Sequence, residues 1–401
     1  MKYFIIAGEA SGDIHGSALI EALKEQDSQA QFDFLGGDLM ARSAGHEPLI
    51  HYRDMAFMGF IEVIKHLGSI LGFMKRAKRA MTDNRPDALI LIDYPSFNLK
   101  MAKWADKQGI PVFYFISPKV WAWKEYRVKD IKRYVKRLYS ILPFETEFYR
   151  KHDYVVEYVG NPTVKEISAA LAKMRPAAEF RAANGLDPDK PIIAIVPGSR
   201  KKEIRDNLPT MLAAARRHSD CQVVIAAAPS IDDELYDEVM GEMESGGSGI
   251  GDRGSRIVDR YPISDPRSPL NVLRGQTFEL VRNARVALVT SGTATLETAL
   301  LGTPQVACYR MNGSRRVYWF YSHLIKGNYV TLPNLIADAP LIPELLLHHC
   351  SEENVDSWLA KLLNDGSERQ EMLEGYKRMA EILTEKDCAS TTAQRIIEQL
   401  K

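Results

Sequence analysis

Short apolar runs alternate along this chain with longer stretches of helical periodicity, the pattern of parallel sheets covered by helices. In the first half the runs Tyr3–Ala7, Phe32–Leu35, Ala88–Ile92, Val112–Ile116, Leu138–Leu142 and Val155–Val159 read as strands. Helical stretches lie between them, such as Ile14–Lys24, in which Ala18, Leu19 and Leu23 can share a face. A charged, alanine-rich segment, Lys165–Asn184, separates this series from a second one. Its strand candidates are Ile192–Val196, Val223–Ala227, Arg256–Val258, Val272–Leu273, Val286–Val289 and Gln305–Tyr309. Each series opens with an apolar strand, a glycine turn and a helix, as two Rossmann-like lobes should. Met372, Tyr376, Met379 and Leu383, then Ala393, Ile396, Ile397 and Leu400, predict two terminal helices. The stretch Gly241–Ser255 is rich in glycine and serine and reads as a surface loop.

Length supports two domains, since 401 residues exceed what one hydrophobic core usually fills. Lysine plus arginine equals aspartate plus glutamate at 52 each, so nothing in the overall charge favours a nucleic-acid partner. An anionic ligand would have to be met by local clusters. The four cysteines are far apart and lack metal-ligand spacing, which predicts reduced buried thiols. His348 and His349 beside Cys350 point in different directions on a helix and are expected to pack rather than to bind metal. No apolar run is long enough for a signal peptide or a spanning helix, so the chain is expected inside the cell.

Three glycine turns carry candidate chemistry. The first, Gly8-Glu9-Ala10-Ser11-Gly12-Asp13, continues to Gly16 with the spacing GxxxGxxxG, unlike the dinucleotide fingerprint. It is either a plain tight turn or one that offers Glu9, Ser11 and backbone N–H groups to a polar substrate. The second, Gly198-Ser199-Arg200-Lys201-Lys202-Glu203, places cations at a helix N-terminus, which opposes the macrodipole unless an anion sits there. A diphosphate suits it better than a merely capped helix, with Arg200 supplying a planar fork of donors. In the third, Ser291-Gly292-Thr293-Ala294-Thr295-Leu296-Glu297, hydroxyls suit phosphate oxygens and Glu297 could accept from ribose hydroxyls. Capping by Ser291 or Thr290 is the competing reading there.

Asp93 ends the run Ala88–Ile92, and the carboxyl ends of parallel strands are where open α/β sheets place ligands. It could act as a general base or merely cap the next turn. The segment from Met55 through Ile61, Val63, Ile64, Leu67, Ile70 and Leu71 is unusually apolar, and Lys75, Arg76, Lys78 and Arg79 follow. That suits a seat on an anionic lipid surface, although spacing cannot separate this from a fully buried core helix, normally the commoner case. The stretch from Trp121 to Arg137 mixes aromatics with cations, for which nucleic-acid binding would be one use, but interspersed Glu125 and Asp130 favour a solvated helix face.

Taken in order, these segments resemble the lipid-A-disaccharide synthase family. The matching runs are AGEASGD (7–13), MGFIEV (58–63), IDYPSFN (92–98), SPKVWAW (117–123), LPFE (142–145), PGSR (197–200), SGTATLE (291–297), YRM (309–311) and YVTLPNL (329–335). The resemblance implies a GT-B fold, α/β with two Rossmann-like lobes, parallel sheets and an interlobe cleft. The lobes would span residues 1–180 and 181–375, with helices in 376–401 returning to the first. It implies an inverting transfer from UDP-2,3-diacylglucosamine to 2,3-diacylglucosamine 1-phosphate (lipid X), giving a β-1,6-linked disaccharide 1-phosphate and UDP. No metal or cofactor is implied. Asp93 would be the base, with Arg200 stabilising the leaving diphosphate. Glu9, Ser11 and Gly12 would line the acceptor side. Gly198, Ser199, Arg200, Glu203, Ser291, Gly292, Thr293, Glu297 and Asn334 would hold the donor. Ile61, Val63, Ile64, Leu67, Ile70 and Leu71 would contact acyl chains at the cytoplasmic face of the inner membrane, and exchange of C-terminal portions within a homodimer is open to such a chain. The sequence departs from the family pattern at Ser96, where a second acid is usual. Kindred readings are a lipid II N-acetylglucosaminyltransferase, a UDP-sugar epimerase, or a non-catalytic peripheral membrane protein that binds nucleotide-sugars.

Overall fold

The computed structural model describes residues 1–55, 67–244, 271–310, 329–383 and 386–401. The chain forms two units, Met1–Pro162 with Leu383–Lys401, and Thr163–Ile382.

The first unit is built on seven parallel strands: β1 Lys2–Ala7, β2 Gln31–Gly36, β3 Ile50–His51, β4 Ala88–Ile92, β5 Val112–Phe115, β6 Arg137–Ser140 and β7 Glu157–Tyr158. Their order is β3-β2-β1-β4-β5-β6-β7. The direction of winding reverses between β1 and β4, whose ends Ala7 and Ile92 are paired. Both faces of the central strands are covered. Leu91 and Tyr114 belong to one apolar cluster, and Ile90, Ile92 and Phe115 to the other. Such strands must be apolar at every position, which is why ALILI and VFYF were readable as strands. On the helix Ala10–Gln26 the buried face is Leu19, Ile20 and Leu23, while Ala18 points out.

The second unit has six parallel strands: β8 Ile192–Val196, β9 Gln222–Ala227, β10 Asn271–Arg274, β11 Val286–Thr290, β12 Gln305–Tyr309 and β13 Glu344–Leu346. Their order, β10-β9-β8-β11-β12-β13, reverses between β8 and β11, where Val196 pairs with Val289. Each unit thus has one topological switch point, at the carboxyl ends of two adjacent strands.

Several boundaries differ from the sequence reading. The division falls after Pro162 rather than at 180, because Phe180 on the helix Ala177–Ala183 is fully buried in the second core. The helix Ser367–Ile382 also stays with the second unit, so the C-terminal return begins at Leu383, not at 376. Gln305 explains this: its side-chain amide donates to the Tyr376 hydroxyl at 3.2 Å, and its backbone N–H faces the Met372 sulfur at 3.3 Å. Gly241 to Glu244 complete the helix Asp233–Glu244 instead of opening a loop. Residues 245–255 and the strand expected over 256–258 lie outside the described residues.

Candidate active site

Asp93 follows directly on β4 at the switch point of the first unit. It is half-buried with φ +39°, and Tyr94 follows at φ +46°. Two consecutive left-handed non-glycine residues cost roughly 1–2 kcal/mol each, so the surroundings must enforce them. They do so through the Asp93 carbonyl, which accepts from the Tyr114 hydroxyl at 2.5 Å and from the Asn98 side-chain amide at 2.7 Å. The same amide donates to the Ile92 carbonyl at 3.2 Å. With the main chain held this way, the carboxylate keeps a local bond from the Tyr94 N–H and no side-chain partner among the described residues. Burial pushes its pKa up to about 6, the Glu9 carboxylate adds to the rise, and Lys119 and the Tyr94 N–H oppose it.

Glu9 is exposed at the end of β1 and begins the helix Ala10–Gln26, and Ser11 donates to its Oε1 at 2.9 Å. Glu9, Ser11 and Asp93 therefore flank one switch point. Gly12 does not join them: a Cβ there would lie 3.1 Å from that of Ala7, so this glycine lets the helix pack tightly on β1. Asp13 is also committed elsewhere, its buried carboxylate accepting from the N–H groups of Gly37, Leu39 and Met40 at 2.7 to 3.1 Å.

Next to β4 on the sheet, the chain leaving β5 runs through Ser117-Pro118-Lys119-Val120-Trp121. This turn is fastened from beneath. The Ser117 and Tyr149 hydroxyls are 2.9 Å apart, and the Trp121 indole donates to Glu145 Oε1 at 3.0 Å. Glu145 is wholly buried, in contact with the Ser140 hydroxyl, and burial raises its pKa to about 8. Ser140 has one proton and the Leu142 carbonyl as a second acceptor, at 2.9 Å. A protonated Glu145 that donates to Ser140 satisfies every partner at neutral pH. The motifs containing Lys119 and Glu145 were legible, but their mutual bracing was not, and neither was the part played by Asn98 and Tyr114.

In the second unit the turns 197–200 and 291–293 follow β8 and β11, adjacent strands at the switch point. Gly198 has φ +116°, and a Cβ there would stand 2.8 Å from Glu203 Oε2. Only glycine lets the Glu203 carboxylate fold back to accept from the Ser199 N–H at 3.1 Å and from Arg200 at 2.9 Å. The anion expected at this helix start is thus supplied within the chain, and the capping alternative holds in part here. At the other turn it fails. Gly292 begins the helix Thr293–Leu300 with no side-chain cap, Ser291 is half-buried, Thr293 is exposed, and the buried Thr290 hydroxyl has no partner among the described residues. Donors are left pointing at whatever occupies this end. Glu297, one turn on, has its pKa raised to about 7 by burial and by the Glu166 carboxylate, against a hydrogen bond from Thr293.

Asn334 sits inside the second unit. It is 1% exposed, and its amide is spent on the Ile342 backbone in both directions and on Glu344, each at 2.9 Å. It fastens the helix Leu332–Ala337. Of the apolar patch, Ile61, Val63 and Ile64 lie outside the described residues. Leu67 begins the helix Leu67–Asn84, Ile70 packs on the core and Leu71 is 55% exposed. Among the described residues no helix is long and apolar enough to cross a membrane, and no cluster of acids, histidines and cysteines could hold a metal ion.

A family model described as lipid-A-disaccharide synthetase matches residues 3–238 and 263–397. A lipid-A-disaccharide synthase from Myxococcus xanthus is 36% identical over 403 residues, covering 100% of this chain and 97% of the relative. One from Nitrosococcus oceani is 34% identical over 377 residues, 93% of this chain and 89% of the relative. Solved structures with the same architecture include a UDP-GlcNAc 2-epimerase from Neisseria meningitidis bound to UDP-GlcNAc (TM-score 0.60, 13% identity, 100% and 99% coverage). MurG from Acinetobacter baumannii is similar too (TM-score 0.56, 14% identity, 99% of each chain). At such identities the structural likeness speaks for the fold, which is GT-B.

Proposed function

The chain belongs to the lipid-A-disaccharide synthetase family, and on that premise we propose that Asp93 is the general base of its glycosyl transfer. The protein is a glycosyltransferase of lipid A biosynthesis, forming the disaccharide from a UDP-sugar and an acylated sugar phosphate. The epimerase and lipid II transferase readings share its fold but not its family.

In the proposed mechanism Asp93 takes the proton of the acceptor's 6-hydroxyl as that oxygen attacks the donor's anomeric carbon. The bond from that carbon to the diphosphate breaks, UDP departs, and the new linkage has inverted configuration. Glu9 and Ser11 orient the acceptor. In the second unit the N–H groups at Ser199 and Thr293 and the hydroxyls of Ser291 and Thr293 hold the diphosphate. Arg200 neutralises the charge that develops on it, a contribution of about 10²–10³ in rate when such donors are preorganised. Glu203 leaves Arg200 as the diphosphate arrives, and Glu297 accepts from the ribose hydroxyls. Leu71, the apolar residues before it and the exposed Lys75, Arg76 and Arg79 are suited to the cytoplasmic face of the inner membrane, where diacylated substrates reside.

The observation that carries this reading is a half-buried carboxylate at a switch point whose main chain is fixed by Asn98 and Tyr114 while no other side chain bonds its oxygens among the described residues. Asp93→Asn is nearly isosteric and removes only the proton acceptor. It should lower kcat by about 10²–10⁴ and leave UDP affinity unchanged. Full turnover in that variant would remove Asp93 from the mechanism.

A further inference from the structure

Asp93 is flanked by two cations for which the glycosyl-transfer chemistry has so far given no use. Arg127 reaches the Asp93 turn directly, donating through Nη2 to the Ser96 hydroxyl at 2.9 Å. A hydroxyl accepts that bond but neutralises nothing. Lys119 is exposed on the braced turn that leaves β5, the strand next to β4, with Phe115 paired to Ile92. Neither cation has an ion pair among the described residues, unlike Lys132 with Asp153 or Arg150 with Glu147. Both lie in the same unit as Asp93.

We propose that Arg127 and Lys119 form a phosphomonoester site beside Asp93, which takes the 1-phosphate of the acceptor sugar. This deepens the glycosyl-transfer reading and rests on it. The chemistry fits in three respects. A phosphomonoester carries about −1.5 to −2 charge at pH 7, which two cations balance. A guanidinium already held by one hydroxyl keeps a planar edge for two phosphate oxygens, and an ammonium adds a point charge. Moreover, a phosphate dianion brought near Asp93 would by itself push that carboxylate toward protonation and idle the base. Cations interposed between the two cancel that field, and Lys119 already lowers the Asp93 pKa against the effect of burial. The Glu145–Trp121 bond fastens the turn that carries Lys119.

The test is steady-state transfer in neutral detergent, with the 1-phosphorylated acceptor and with the same diacyl sugar bearing a free 1-hydroxyl. The variants are Arg127→Gln, Lys119→Met and the pair together. At about pH 8.5, where Asp93 stays ionised even without the Lys119 charge, each single change should lower kcat/KM for the phosphorylated acceptor about tenfold or more, the size of one charge-assisted hydrogen bond, and leave the 1-hydroxyl acceptor nearly unaffected. In the double variant the preference for the phosphorylated acceptor should collapse, while UDP affinity, which reports an intact second unit, stays at the wild-type value. A double variant that binds UDP normally and retains the full preference overturns the proposal. So does one that keeps the preference but loses sedimentation with phosphatidylglycerol vesicles, because the cations would then serve a lipid headgroup. If the wild type makes no disaccharide from either acceptor, the glycosyl-transfer reading itself fails, a result distinct from a wild type that transfers equally to both, which overturns this site alone.

Discussion

A general base works best when its pKa lies just below the operating pH, because it is then ionised yet still basic enough to draw a proton. Asp93, raised to about 6 by burial and by Glu9, meets that requirement. Its neighbour makes the assignment testable by pH. Removing the Glu9 charge with Glu9→Gln takes away a force that raises the Asp93 pKa, so the acid limb of log(kcat/KM) should move to lower pH. An acid limb that stays in place would separate the two carboxylates. The donor side gives a second pH signature of opposite use. Glu297, with a pKa near 7, is largely protonated at pH 6 and largely ionised at pH 8. The ionised form accepts from both ribose hydroxyls more strongly, so UDP affinity measured calorimetrically should rise across that interval in the wild type. In Glu297→Gln it should be weaker and flat; a slope that survives would place the titrating group elsewhere.

The turn after β5 shows how a short element can be set by one buried side chain. Glu145 has a folded-state pKa of about 8 against an ordinary 4.5, so the folded protein holds its proton more tightly than the unfolded chain. The stability this provides is fully present below pH 4.5 and is lost as pH rises toward 8. Glu145→Gln reproduces the neutral acid, its oxygen accepting from Trp121 and its NH2 donating to Ser140. The variant should therefore match the wild type in Tm at pH 5 and exceed it at pH 9; equal Tm at pH 9 would mean that Glu145 is not neutral in the fold. Elements of this kind also explain what the sequence conveyed and what it withheld. Central strands such as β4 and β8 were legible because burial on both faces demands an unbroken apolar run. The edge strands β3 and β13 escaped because they are two and three residues long and contain His51 and Glu344. At the site, the three glycine turns and Asp93 were legible from residue type and position. The reach of Glu203 back to Ser199, and the commitment of the Asn334 amide to Ile342, were not, since both depend on side chains meeting backbone that only the fold brings near.

At the scale of the whole chain, the last helix ties its end to its beginning. The helix Cys388–Leu400 is capped by Asp387, which accepts from the N–H groups of Ala389 and Ser390, and its buried Ala393, Ile396 and Ile397 lie in the same apolar cluster as Leu19 and Leu23. Polar contacts at its rim, Arg395 to Glu157 at 2.7 Å and Lys136 to the Gln399 carbonyl at 2.8 Å, fix its register more than its stability. The apolar face carries the energy: burying one isoleucine contributes about 1.5–3 kcal/mol, and truncating it to alanine in a core costs about 2–5 kcal/mol. Ile396→Ala should therefore lower stability by about 2–5 kcal/mol in denaturant titration. Deleting residues 384–401 should leave the first unit unable to keep its core dry, since the loss rivals the whole net stability of a domain, about 5–15 kcal/mol. The two outcomes divide by unit. Because every proposed UDP contact lies in Thr163–Ile382, Ile396→Ala should bind UDP as the wild type does while it denatures more readily. Weakened UDP binding in that variant, at denaturant concentrations where it is still folded, would place part of the nucleotide site in the first unit.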